Sequence, residues 1–315
     1  MDETKNLHSA LKPNQLSRES WKQIGKRVYS QLTVDHISIV SAGVAFYFFL
    51  ALFPTFIAAI SIFGLIMDPA QIQQQISEVA HILPDQSSQM ISNILEGIAD
   101  KSGKSLGWSL VWSILFSLFT AMQGTKAVFE GINVAYDEID GRGFFKYNGL
   151  TLLFTLGGIV IAIISSALVV VFPAIVDAIN LPAYGVETVI QWLRWPVLAL
   201  IVMGILAILY KIAPDRRNPQ FRWVTWGAVI ATILWLVGSI LFSIYISNFG
   251  NYDRMYGSFS AVIVLLLWFF ITAYAILLGA EINSEMEHQV RKDTTIGKDR
   301  PMGERNAYHA DHVAD

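Results

Sequence analysis

Six long stretches of this chain run without a charged side chain: His36–Met67, Ser105–Thr125, Tyr147–Val176, Trp195–Tyr210, Trp223 up to Asp253, and Gly257–Ala280. An α-helix rises about 1.5 Å per residue and a bilayer core is roughly 30 Å thick, so about 20 apolar residues cross it. Five stretches reach that length. The fourth does so when Gln191, Trp192 and Leu193 extend it and Arg194 and Lys211 reach the two interfaces with their charged ends. The pattern predicts an all-α, polytopic bundle of six membrane helices, at about 37–67, 106–125, 148–176, 192–210, 223–247 and 257–280, with five spans as the rival count.

The flanking segments have helical periods of their own. In the N-terminal segment 1–35, Trp21, Ile24, Val28 and Leu32 recur at helical spacing, with Lys22, Lys26 and Arg27 elsewhere around the helix. Such a helix either lies on the inner leaflet or packs against the ends of the bundle, and both readings stay open. The connection 68–104 predicts an outer helical hairpin: Ile72, Ile76, Val79 and Ala80 form one stripe, Ile91, Ile94, Leu95 and Ile98 another, and Pro84 separates them. Phe129, Ile132 and Tyr136 continue the second span as an amphipathic helix, and the acidic group Asp137, Glu138 and Asp140 after it reads as a solvated helix end. The segment 281–315 is polar and charged and, from Arg291 on, is expected to be disordered.

Composition supports a membrane protein: of 315 residues 54% are hydrophobic and 15% charged, with a mean hydropathy of +0.48. Charge distribution sets the orientation. If both termini lie on one side, 18 of the 22 Lys and Arg lie there too, which by the positive-inside rule predicts cytoplasmic termini. The first span reads as an uncleaved anchor rather than a secretory signal, because a polar, basic segment precedes it and its apolar run is too long. With no cysteine, disulfides and thiolate chemistry are excluded.

Within the spans, Pro54 interrupts the first apolar run, where it removes a backbone hydrogen bond and predicts a kink or hinge. The second span carries Ser105, Ser109, Ser113 and Ser117 at four-residue spacing, continued by Ala121 and Thr125; the fifth carries Thr232, Ser239, Ser243 and Ser247. Such stripes either let helices approach closely or line a hydroxyl-rich path. No Asp, Glu, Lys, Arg or His lies near the middle of a span, which disfavours an ion-coupled carrier with a midplane carboxylate. Charges sit at the rims instead. Asp35 and Glu281 are candidate inner-rim polar anchors, and Tyr252, Asp253, Arg254 and Tyr256, on a short outer turn, form a candidate head-group site for phosphate. No cofactor or metal is expected.

Several segments resemble the YihY/BrkB family of bacterial inner-membrane proteins. They are Asp35-His36, Ala45–Pro54, Asn133-Val-Ala-Tyr136, Ala213-Pro-Asp215, Tyr256–Trp268 and Leu278-Gly-Ala-Glu-Ile-Asn283. The resemblance runs from about residue 20 to 290 and implies a six-span protein of the inner membrane with cytoplasmic termini. The family is associated by name with resistance to serum killing, some members are linked to export of lipid A-type lipids, and a ribonuclease label (ribonuclease BN) was once attached to it. The resemblance supplies no catalytic residues. The expected function is a transporter or flippase-like protein handling an amphiphilic envelope molecule, with a non-transporting scaffold for envelope partners as the alternative. An enzyme is not expected, since a nuclease needs a soluble cleft with metal carboxylates or an acid–base pair. Membrane lipids are the expected partners, a second copy of the chain is a further alternative, and nucleic acid is not expected.

Overall fold

The structure, a computed structural model, describes residues 13–66, 103–166, 168, 186–248 and 259–314. The outer connection 68–104 falls almost wholly outside these residues, and the turn bearing Tyr252, Asp253, Arg254 and Tyr256 entirely so. After a 3-10 turn at Pro13–Gln15, the described residues form eight α-helices: α1 Arg18–Val34, α2 Ile37–Ile66, α3 Gly103–Ala135, α4 Phe144–Ser166, α5 Val186–Ile212, α6 Phe221–Asn248, α7 Ser260–His288 and the short α8 Tyr308–Asp311. Among the described residues, four stretches are long and apolar enough to cross a membrane: Phe144–Ser165, Trp195–Ile212, Phe221–Ser247 and Ser260–His288. A fifth results if α1 and Ile37–Leu52 count as one span, broken by a 62° bend. Their outward faces are apolar, with Leu153, Ile163, Leu200, Ile240 and Leu241 all exposed. Helices facing lipid need that surface, since their backbone bonds are met internally and only side chains meet the hydrocarbon.

The chain divides into two compact units, Met1–Phe46 with Thr125–Asp315, and Tyr47–Gly124. In the second, the Phe48 ring fills the space beside Gly124, where a Cβ would lie 2.6 Å from the ring. This is close helix packing of the kind small residues permit.

In the first unit, α7 packs along α6 and across α1, and α6 also packs on α5. The tightest crossing uses glycine. A Cβ on Gly279 would sit 2.7 Å from the Ala231 Cβ and 2.8 Å from the Gly227 carbonyl oxygen. One turn further on, Asn283 clamps α6: its Oδ1 accepts from the Gly227 N–H at 2.8 Å and its Nδ2 donates to the Val224 carbonyl at 3.2 Å. The Tyr210 hydroxyl donates to the Ile276 carbonyl at 2.7 Å and joins α5 to the same crossing. Each bond satisfies a polar group that burial would otherwise leave costly.

The apolar stripe of α1 is used in packing. Ile24 and Val28 are buried with Leu16, Trp223, Met286 and Val290, and Trp21 and Leu32 flank them. Of the two readings of this helix, the stripe therefore serves the one in which it covers the bundle's end. The segment after α7 differs from expectation. Rather than remaining disordered, residues 289–314 fold back on the α5–α6 connection through an isolated bridge between Pro219 and Thr295, and the Ala314 N–H reaches the His288 carbonyl at 2.9 Å. Its polar groups have partners: Asp293 accepts from the Thr295 and Arg300 N–H groups, and Arg305 donates to the Arg291 carbonyl. Composition registers charge, but not that each charge meets a complementary group. Both described ends of the chain thus lie at the end of the bundle where α6 begins and α7 finishes.

Candidate functional site

Four of the motifs named above, Asp35-His36, Asn133–Tyr136, Ala213–Asp215 and Leu278–Asn283, meet in one polar cluster at the terminus-bearing end. Asn133 closes α3 onto the α5–α6 connection, its Oδ1 accepting from the Asp215 N–H at 2.9 Å. The Asp215 carboxylate in turn accepts from the Gly141 N–H at 2.9 Å and from Arg142 Nε at 3.0 Å. Beside it, Arg216 donates twice to Glu287, at 3.0 and 2.6 Å, with both side chains fully buried. Thr294 adds a third bond to that carboxylate at 2.7 Å, and the guanidinium carbon lies 4.3 Å from the centre of the Tyr136 ring. Four separate segments are tied together by this one ion pair.

The acidic group after α3 departs from its reading as a solvated helix end. Asp137, in the left-handed region at φ 52°, pairs with His309 Nε2 at 3.1 Å, Glu138 accepts from the Tyr308 N–H at 2.7 Å, and Asp140 accepts from the Arg142 N–H at 3.0 Å. Asp137 and Glu138 thus dock the tail, whereas Asp140 closes a local turn. The His309 hydrogen bond holds the Asp137 pKa below its ordinary 3.8, against the opposing effect of burial. The stability this contributes is complete above the ordinary value and is lost as pH falls through the lower folded value. Asp137→Asn is therefore expected to make residues 289–314 more accessible to limited proteolysis at neutral pH, a release wild type should show only in acid. Equal digestion of the two proteins at neutral pH would remove this latch.

Asp35 and Glu281, the two candidate inner anchors, come together. Asp35 ends α1, His36 adopts φ 51°, and α2 starts at Ile37, so the chain turns sharply where the carboxyl is placed. The Asp35 and Glu281 carboxyls are in hydrogen-bonding contact. Glu281 is 1% exposed, and among the described residues no donor reaches its Oε1. Around this pair, Arg27 binds Glu285 and Gln289, His288 lies 3.7 Å from Glu285, and the His288 and His309 rings stack edge-on at 4.9 Å. Burial raises the Asp35 pKa and the neighbouring Asp137 and Glu285 carboxylates add to it, outweighing the Glu281 hydrogen bond and His309. The sequence placed Asp35 and Glu281 at a rim but held no signal that residues 246 positions apart share a contact. It likewise missed His309, Glu285, Glu287 and Arg216, whose pairing only the fold reveals.

The other candidates divide. The backbone of α2 is helical through Pro54, and that side chain lies outside the described residues. So do the side chains of Ser109 and Ser113, while Ser117 is half-buried. At the far end of that stripe, the Thr125 hydroxyl bonds the Thr155 hydroxyl at 2.8 Å, which joins α3 to α4. On α6, Thr232 is buried and donates to the Ala228 carbonyl, Ser239 is half-buried, and Ser243 and Ser247 are exposed, Ser247 donating to the Ser243 carbonyl. Bonding one turn back satisfies such hydroxyls on their own helix.

Comparison with known proteins assigns the family. The family described as Virulence factor BrkB matches residues 28–303. The putative ribonuclease-like protein YfkH of Bacillus subtilis is 29% identical over 289 residues, covering 90% of this chain and 98% of that protein. The UPF0761 membrane protein IL2447 of Idiomarina loihiensis is 30% identical over 103 residues, 33% of this chain and 35% of that one, and a UPF0761 membrane protein of Alteromonas mediterranea is 35% identical over 95 residues, 27% and 32% respectively. The chain thus spans about a third of each of these two relatives. No solved structure matches it. With its apolar helices and this match over most of its length, the chain is a multi-pass bacterial membrane protein and belongs to the virulence factor BrkB family.

Proposed function

We propose that this protein crosses the inner membrane six times with both termini in the cytoplasm, and acts as a transporter or flippase-like protein for an amphiphilic envelope molecule. The alternation of helix ends supports six crossings: α2, α4 and α6 begin, and α3, α5 and α7 finish, at the terminus-bearing end. An even count also agrees with the 18 basic residues on one side.

One observation carries the transport reading. The described shafts of α4–α7 hold no Asp, Glu, Lys, Arg or His over their central turns, while charged groups crowd the terminus-bearing rim. A ligand that leaves its head group at the water boundary and its chains in lipid suits such a protein, whereas a fully hydrophilic solute would need polar groups along the shafts. Tyr252, Asp253, Arg254 and Tyr256 complete the proposal as a head-group site at the opposite face, with Pro54 as the bend of the first span. The name of YfkH raises the ribonuclease reading. Here the rim carboxylates Asp137, Glu138, Asp215, Glu285 and Glu287 bond Arg, His and backbone donors of the same chain, which favours a structural over a hydrolytic use.

The test is reconstitution into liposomes carrying head-group-labelled lipids in both leaflets, followed by chemical bleaching from outside. The protein is expected to speed loss of the inner-leaflet signal, and Arg254→Glu to slow it. No acceleration for any phosphorylated lipid, together with a stoichiometric companion in mild-detergent purification, would replace transport by the scaffold reading. That reading draws on the exposed Ile139, Phe144 and Phe145 beside the cluster.

A further inference from the structure

We propose that Asp35 and Glu281 form a single-proton site, one carboxylic acid hydrogen-bonded to one carboxylate, which fastens the α1–α2 elbow to α7 and frees it when the proton leaves. The site does not depend on whether the protein moves lipids.

The geometry leaves few alternatives. Two carboxyl groups in hydrogen-bonding contact need a proton between them, since neither carboxylate oxygen can donate, and two like charges so close do not both persist. Among the described residues, the basic side chains near the pair already have partners. Arg27, from α1, is taken up by Glu285 and Gln289, and His309, from the tail, by Asp137. His288, on α7, lies against Glu285, and His36 is exposed. The remaining near neighbours, Glu285 on α7 and Asp137 beyond α3, are acids and add negative potential. Glu281 itself points to an unfilled need, being 1% exposed with an Oε1 that no donor among the described residues reaches. A metal ion fits less well, because among the described residues no group of three or more acidic or imidazole side chains is arranged to hold one.

The mechanical consequence follows from where Asp35 stands. Ile37, Ser41 and Val44, the first buried positions of α2, pack just beyond the turn. With the proton in place, one hydrogen bond adds to that packing. Once it leaves, two anions face each other across a low-dielectric contact, and among the described residues no further polar tie joins the elbow to α7. Protonation of this pair thereby controls how firmly the start of the first span is held, and Asp35 and Glu281 are its proton ligands.

Infrared spectroscopy of the full chain in lipid nanodiscs tests this directly. Wild type is expected to show a protonated-carboxyl carbonyl band at neutral pH that disappears in alkali, and labelling with ¹³C-aspartate or ¹³C-glutamate should shift it, assigning the proton without any mutation. The band should be lost in Glu281→Gln and in the Asp35→Asn/Glu281→Gln double variant. In parallel, amide exchange over residues 35–45 should rise with alkali in wild type beyond the chemical rate and stay level in Asp35→Asn. The proposal is overturned by absence of the band from wild type at neutral pH, by its survival in the double variant, or by its persistence in Glu281→Gln, which would leave the proton on Asp35 alone. Equal pH dependence of exchange in wild type and Asp35→Asn would refute the elbow's release.

Discussion

Replacing Arg216 by alanine is expected to destabilise the terminus-bearing end by about 3–5 kcal/mol, the range for removing one partner of a buried ion pair. Both side chains of the Arg216–Glu287 pair are fully buried and joined by two hydrogen bonds. Without the guanidinium, Glu287 keeps one donor, the Thr294 hydroxyl, against the desolvation of a full charge. The Tyr136 ring also loses the cation stacked on it. Because Arg216 connects the end of α3, the α5–α6 turn, α7 and the tail, the loss should appear in thermal unfolding in detergent and in early proteolysis of the tail together. Arg216→Lys retains charge but not the forked geometry and should fall between. An Arg216→Met/Glu287→Leu double variant should recover much of the loss, since removing both charges removes the desolvation cost. Wild-type stability of Arg216→Ala would show that the pair contributes little.

Introducing leucine at Gly279 is expected to force the α6–α7 crossing apart. Even a single Cβ there meets the Ala231 Cβ at 2.7 Å and the Gly227 carbonyl oxygen at 2.8 Å, and the second of these is backbone and cannot rotate away. Overpacking a tight contact by one carbon costs about 1–3 kcal/mol. A leucine must push α6 and α7 apart, which also breaks the Asn283 clamp and the Tyr210 bond. Gly279→Leu should therefore fail to give monodisperse protein, and Gly279→Ala should unfold at lower temperature. Gly157 on α4 is the internal control: a Cβ there meets nothing within 4 Å, so Gly157→Ala should be neutral or gain up to about 1 kcal/mol from helix propensity. If Gly279→Ala and Gly157→Ala unfold alike, the crossing is looser than described.

These two changes separate what can be read along the chain from what cannot. The length of uncharged apolar runs located α4 to α7, and the stripe Trp21, Ile24, Val28 and Leu32 predicted α1, because a helix presents every third or fourth residue to one face whatever lies opposite. The face opposite was not legible. Ile24 and Val28 read equally well as a lipid-surface stripe, and the presence of Trp223, Met286 and Val290 beneath them assigned it to packing. The tail shows the same limit more sharply. Its charges and glycines look disordered when counted, and Arg305, Asp293 and His309 become ordered only because complementary groups stand in reach.

Apolar run length, set by the thickness of a lipid layer, was enough to make this a helical membrane protein, and the distribution of lysine and arginine was enough to propose its orientation. Placing Asp35 against Glu281, Arg216 against Glu287 and Asn283 along α6 took the folded chain. Helix formation depends on neighbours three and four residues away, whereas these contacts join residues tens to hundreds of positions apart, and only the packing of the helices decides which charges share a buried space.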